Sequence, residues 1–233
     1  MNHSAALPAP LFDDAFESGG APRPASGGEL PALQGLDRAA LYARLNENGV
    51  AVTEPLLSPE QCEEVISTYE NPALFRSTVV MQRHQLGRGT YKYYADPAAV
   101  PLVRALREQL AECAANGQTR PTPLILRYGE GDYACLHQDV YGDIVFPLQI
   151  TVMLTRPGED FTGGENVFVE QRPRAQSRAV VVGPGLGQAM IFPVRHRPVR
   201  GEHGFRRHPM RHGTNAVESG RRTTLGVIFH NAR

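Results

Sequence analysis

Residues 128–139 read Tyr-Gly-Glu-Gly-Asp-Tyr-Ala-Cys-Leu-His-Gln-Asp, and this stretch decides how the remaining chain is read. Side chains alternate faces along an extended strand, so His137 and Asp139, two apart, point to one side and Gln138 to the other. An imidazole and a carboxylate from one strand end are half of a metal site. A second histidine from elsewhere completes a two-His, one-carboxylate face, which suits Fe(II) and leaves coordination positions open.

Working outward, 233 residues with 41% apolar content suffice for one sizeable core, and a β-barrel of this length commonly forms one unit. The formal net charge is zero, so no global attraction to nucleic acid or a membrane is implied. Cys62, Cys113 and Cys135 are odd in number and form no close pair, against a disulfide framework or a zinc ribbon. No apolar run approaches the roughly 18 residues of a membrane span. The first residues lack the basic and apolar regions of a secretion signal. A reducing cytoplasm is the expected setting, with no membrane and no obligate protein partner implied.

Residues 1–31, rich in Ala, Pro, Gly and Ser apart from an acidic-aromatic island at Leu11–Glu17, read as a mobile tail, and 32–233 as a single domain. Leu36, Ala40, Leu41 and Leu45 fall at helical spacing up to a stop at Asn48-Gly49. Val50–Leu57 reads as a strand. Ser58-Pro59-Glu60-Gln61 combines an N-cap, a first-turn proline and a capping-box glutamine, opening a second helix to about Glu70. Strands are expected at Phe75–Met81 and Thr90–Tyr94 around a Gly87-Arg88-Gly89 turn. The tyrosines of the second either line a substrate mouth or pack half-buried. Asp96-Pro97 is expected to open a long helix to about Ala115, with Val103, Leu106 and Leu110 on one face and Asn116-Gly117 ending it.

Beyond that point the texture changes to short β-like runs at 122–128, 146–155, 166–170, 178–182, 189–192 and 223–229. Helices followed by strands at this rhythm predict an α+β chain whose core, about residues 120–230, is a double-stranded β-helix, the jelly-roll arrangement. His212 lies in the same region, with Arg222 ten positions on. A planar guanidinium suits bidentate grip of a carboxylate in a buried pocket. Thr224 shares the strand face of Arg222 and offers a second hydrogen bond. Gly226, next on that face, leaves room for a ligand body.

Taken in order, Tyr128, Gly131-Asp132, His137 and Asp139, Gly163-Gly164-Glu165, Gly187 to Phe192, and His212 with Arg222 resemble the Fe(II)/2-oxoglutarate-dependent oxygenase superfamily. A closer resemblance, through Phe75-Arg76-Ser77, residues 118–123, Leu136 to Gly142, residues 170–174 and Leu225 to Asn231, is to a bacterial branch described as oxidising alkylated DNA. The resemblance implies that His137, Asp139 and His212 bind Fe(II). It likewise implies that Arg222 and Thr224 hold the distal carboxylate of 2-oxoglutarate, with Arg221 the next candidate, and that Tyr128 hydrogen-bonds this cosubstrate. The implied reaction consumes O2, releases succinate and CO2, and hydroxylates or oxidatively demethylates a substrate that is a small molecule, a peptide or alkylated nucleic acid.

Between Phe192 and His212 the chain departs from generic members with Arg195, Arg197, Arg200, Arg206, Arg207 and Arg211 against the single acid Glu202. An arginine-rich loop here either grips an anionic substrate or is solvated and paired with Asp143, Glu159 and Asp160. His203 and His208 compete with His212 for the third ligand position, and only His212 has the arginine at the expected distance. His230 reads as a strand-end polar residue, His84 and His3 receive no role, and Cys135 reads as a small buried hydrophobe or a group facing the His137 cavity. The rival readings are a non-catalytic metal-binding β-barrel module and a cupin-type enzyme without 2-oxoglutarate; neither has a use for Arg222 and Thr224.

Overall fold

The computed structural model describes residues 30, 32, 35–114, 121–139, 147–172 and 174–229. Helix α1 (Arg38–Asn48) starts where the Asp37 side chain accepts from the Ala40 amide and ends at Gly49, whose φ of 76° is left-handed. After strand β1 (Ala51–Pro55), α2 (Pro59–Ser67) begins with the expected capping box, Ser58 and Gln61 each bonding the other's backbone amide. A 3-10 turn carries it on through Thr68–Glu70. Asp96 caps only a 3-10 turn, Pro97–Ala99, and the long helix α3 (Pro101–Ala114) starts later than expected. The cause is Pro101, whose ring disfavours helical backbone at the preceding residue, and Val100 sits at φ −123° and ψ 96°.

The remaining chain forms β2 (Phe75–Val80), β3 (Gly87–Arg88), β4 (Thr90–Tyr94), β5 (Pro121–Tyr128), β6 (Tyr133–His137), β7 (Leu148–Met153), β8 (Phe161–Gly163), β9 (Asn166–Glu170), β10 (Arg178–Val182), β11 (Gln188–Pro193), β12 (His196–Gly201), β13 (Gly204–Thr214), β14 (Val217–Gly220) and β15 (Arg222–Phe229). A seven-stranded sheet runs β1-β11-β7-β15-β5-β4-β2, and a second runs β10-β9-β13-β6-β3 with β12 on β13. This antiparallel pair of sheets is the double-stranded β-helix. The expected Gly87-Arg88-Gly89 turn is instead a crossover, because β3 leaves β2 and β4 in the first sheet to pair with β6 in the second.

Strand alternation gives the larger sheet two faces. Leu148, Ile150 and Val152 of β7, Ala189 and Ile191 of β11, Ile125 of β5, and Leu225 and Val227 of β15 join one buried cluster with Leu41, Leu45, Val65, Val103, Leu106 and Leu110 of the helices. Fully burying one such aliphatic side chain is worth about 1.5–3 kcal/mol. The opposite face carries Gln149, Thr151, Leu124, Leu126, Tyr128, Met190, Phe192, Arg222, Thr224, Gly226 and Ile228 toward a cavity of about 360 Å³ between the sheets.

Leu30, within the stretch expected as a tail, is buried in the helix-side cluster; residues 1–29 lie outside the described residues. So do 115–120, 140–146, Pro173 and 230–233, and with them the expected helix stop at Asn116-Gly117 and the residues Asp143, His3 and His230. No helix among the described residues is long and apolar enough to cross a membrane.

Candidate metal centre and carboxylate clamp

Antiparallel pairing sets His212 of β13 directly opposite His137 of β6, with Phe168 of β9 on its other side. Asp139 follows the end of β6, and the three side chains bring ligand atoms within 4.8 Å of one another. His212 Nε2 lies 3.2 Å from Asp139 Oδ2, and His137 Nε2 lies 3.5 Å from Asp139 Oδ1. The other nitrogen of His137, Nδ1, faces the Cys135 carbonyl at 2.7 Å, which fixes the ring with Nε2 toward the cavity. Gln138 donates to the carbonyls of Arg195 and Met210, both at 2.8 Å, tying the ligand-bearing strand end to the start of β12 and to β13. Phe192 packs on His212 with ring centroids 4.8 Å apart.

Burial by itself would push Asp139 toward the neutral acid, but the hydrogen bonds from His137 and His212 hold its carboxyl well below the usual range. The two histidines respond differently. Burial lowers the His212 pKa and favours neutral imidazole, whereas at His137 the Asp139 carboxylate outweighs burial and raises it. Two imidazoles converging on one carboxylate are a donor set chemically suited to a divalent metal.

On β15 the alternation places Arg222, Thr224, Gly226 and Ile228 on the cavity wall. Arg222 is only 1% exposed. Its Nη2 donates to Asn166 Oδ1 at 2.9 Å, yet among the described residues its buried Nε finds no partner. Burial pushes its pKa down to about 10, with only Tyr128 and Glu165 opposing. A buried guanidinium with an unused donor fits a carboxylate ligand. Tyr128 pairs with Arg222 in register, and burial pushes its phenol up to about 12, so it remains a neutral hydrogen-bonding hydroxyl.

The Gly-Gly-Glu segment also has a local reason. Gly163 and Gly164 have φ of 68° and 64°, and a Cβ on Gly164 would stand 2.9 Å from Arg222 Cδ. Side-chain-free backbone is what lets the guanidinium lie there.

The arginine-rich stretch is not a loop. It is the hairpin β12–β13, in which Arg197 opposes His208 and both turn inward. Arg197 and His208 are buried with Glu170, which accepts from His208 Nδ1 at 2.5 Å and lies 3.8 Å from Arg197 Nη1. Arg197 also donates to the carbonyls of Asn46 and Glu47, both at 3.2 Å, capping the end of α1. His208 is thus committed away from the His137 cluster, and His203 is exposed in the hairpin turn. Glu159 and Asp160, expected as partners of these arginines, instead face Arg156.

Cys135 is exposed, neither a buried hydrophobe nor a cavity group, because β6 and β13 shift register beside it. Tyr91 and Tyr93 of β4 line the cavity mouth edge to face, while Tyr94 is buried on the helix side. Sequence reasoning missed Asn166 and Gln149. Gln149 is 2% exposed and its amide nitrogen stands 3.2 Å from His212 Nε2. Its signal was a lone amide on the inward alternation of an apolar strand.

Residues 100–232 match the sequence model of a family described as "Oxygenase, catalysing oxidative methylation of damaged DNA". An uncharacterized protein of Mycobacterium tuberculosis is 48% identical over 132 residues, 57% of each chain, so the match spans little over half the length of this curated relative. Among solved structures, a prolyl-4-hydroxylase of Pseudomonas putida superposes with a TM-score of 0.57 at 15% identity, covering 84% of this chain and 98% of its own. A 2OG-Fe(II) oxygenase family oxidoreductase of Burkholderia pseudomallei gives 0.56 at 15% identity, covering 83% and 92%. A Trichoplax adhaerens prolyl hydroxylase gives 0.56 at 16%, covering 81% and 86%. At such identities these likenesses establish the fold alone.

Proposed function

The chain belongs to the oxygenase family described as catalysing oxidative methylation of damaged DNA, and on that footing we propose that it is an Fe(II)- and 2-oxoglutarate-dependent dioxygenase that hydroxylates or oxidatively demethylates its substrate. The observation that carries this reading is one cavity holding both the His137, Asp139 and His212 cluster and a buried guanidinium with an unpartnered donor. A metal-binding module, or a cupin-type enzyme without cosubstrate, would have no use for that second element.

In this reading His137, Asp139 and His212 hold Fe(II), which with 2-oxoglutarate and O2 supplies the oxidising power. Arg222, oriented by Asn166, grips the distal carboxylate, with the Thr224 and Tyr128 hydroxyls as further donors. Leu124, Leu126, Phe168, Met190 and Phe192 give the cavity apolar walls around these polar groups. The test is succinate release from 2-oxoglutarate by Fe(II)-reconstituted protein, alongside Mn(II) titration. Alanine at His137, Asp139 or His212 should abolish both turnover and stoichiometric metal binding, and His208→Ala should retain the metal. Retention in His212→Ala with loss in His208→Ala would overturn the ligand set.

A second observation favours nucleic acid as the substrate class. With Arg197 turned inward, Arg195, Arg200, Arg206, Arg207 and Arg211 remain exposed on and beside the hairpin that carries His212. Each phosphate neutralised on duplex DNA contributes about −0.9 to the slope of log affinity against log salt. Neutralising these arginines together should flatten that slope by about 3 if most of them contact phosphate. Wild-type protein with no salt-sensitive binding to alkylated or plain oligonucleotides would turn the reading to a small-molecule or peptide substrate.

A further inference from the structure

His212 Nε2 has one in-plane valence, and two groups converge on it: Asp139 Oδ2 at 3.2 Å and Gln149 Nε2 at 3.2 Å. The carboxylate needs a proton on that nitrogen, while the amide donor needs a lone pair there. One nitrogen serves one of them. A metal ion taking the lone pair satisfies His212 and Asp139 together and leaves the Gln149 amide, buried to 2% exposure, without this partner. Among the described residues the Gln149 side chain has no other hydrogen bond to take its place, and Phe192 stands across from it on β11.

The cavity has two ends. Asn166 pairs with Thr214 at the Arg222 end, and two residues along the same strands Phe168 pairs with His212 at the Gln149 end. A linear dicarboxylate needs an anchor at each. Building on the dioxygenase reading, we propose that Gln149 is a cosubstrate-binding residue: its carboxamide, released by the metal, donates to the metal-proximal carboxylate, at the opposite end from the Arg222 clamp.

The test uses full-length protein loaded with Co(II), whose visible absorption reports ligand binding without turnover. The probes are 2-oxoglutarate and oxalate, which reproduces the metal-chelating end but lacks the distal carboxylate. Gln149→Leu should weaken both by about tenfold, the worth of a charge-assisted hydrogen bond. Gln149→Glu, which keeps the shape but loses the donor, should weaken both further. Arg222→Ala should weaken 2-oxoglutarate and spare oxalate. Co(II) affinity should hold or rise in Gln149→Leu, because a competitor for the His212 lone pair is gone. Oxalate affinity unchanged by Gln149→Leu would overturn the proposal. So would Co(II) affinity falling in parallel with it, since Gln149 would then only brace His212. Failure of wild-type protein to bind 2-oxoglutarate at all would instead remove the dioxygenase reading, and this proposal with it.

Discussion

Replacing Arg222 by methionine separates what the guanidinium does for the fold from what it does for a ligand. This charge is 1% exposed, has one hydrogen bond to Asn166, and among the described residues leaves Nε unpartnered. Its pKa, pushed down to about 10 by burial, corresponds to about 3 kcal/mol of cost for carrying the charge at neutral pH. Arg222→Met removes that cost but leaves Asn166 Oδ1 without its donor, which gives back about 1–2 kcal/mol. The net expectation is a ligand-free variant more stable by about 1–2 kcal/mol, or roughly 2–8 °C in Tm for a chain of this size. The pH dependence has a definite sign. Both folded and unfolded chains carry the proton at pH 7, so the penalty is present there. As pH rises through about 10 the folded wild type sheds its proton more readily than the unfolded chain, and the gap to the variant narrows. Denaturant melts at pH 7 and 10.5 measure this, repeated with Mn(II) and 2-oxoglutarate. Wild type should gain about 2.7 kcal/mol at a hundredfold excess of ligand over Kd, and the variant far less. A ligand-free variant destabilised by more than about 1 kcal/mol would refute the reasoning, because the guanidinium would then be satisfied where it lies.

The cluster of Glu170, Arg197 and His208 behaves oppositely, since its buried guanidinium already has a counter-charge, the Glu170 carboxylate at 3.8 Å. Glu170→Ala, which leaves buried Arg197 without its counter-charge, should cost about 3–5 kcal/mol in urea unfolding, and a loss under 1 kcal/mol would show that water enters the cluster. The cysteines divide by burial: the Cys62 thiol is enclosed in the helix-side core and pushed up to about 11, whereas Cys135 is exposed. Mass spectrometry after brief iodoacetamide treatment of native protein should find Cys135 alkylated and Cys62 modified only in denaturant.

Legibility in the sequence followed how local the determining physics is. The α2 capping box and the Asn48-Gly49 stop are set by neighbours within four residues, and both stand where the sequence placed them. Arg222, Thr224 and Gly226 on one wall followed from strand alternation once β15 was read as a strand. The late start of α3 was also written locally, in Pro101, but Asp96-Pro97 offered a stronger-looking cap upstream. Gln149 and Asn166 escaped because their meaning lies in what faces them across the cavity, His212 and Arg222. Nothing near Gln149 marks that encounter, and beside Asn166 only Gly163-Gly164 does, by leaving room for the guanidinium.

The hairpin shows where composition misleads and register decides. Arg197, His208, Met210 and His212 share one face of β12–β13, so alternation alone could not choose between His208 and His212 as a metal ligand. Position along the strand separates them: His208 faces Arg197, and His212 faces His137 and Phe168. A slip of β13 by one residue would turn His212 to solvent and bring Arg211 into the cavity. Glu170 opposes that slip, because it pairs with Met210 in the ladder while its carboxylate accepts from His208 on the same strand. Arg197 then carries the constraint to the end of α1, where a Cβ on Gly49 would meet Met210 Cε at 2.9 Å and Arg197 Cδ at 3.0 Å. The inward half of the arginine-rich stretch therefore fixes where His212 stands, and only its outward half is free to meet a polyanion.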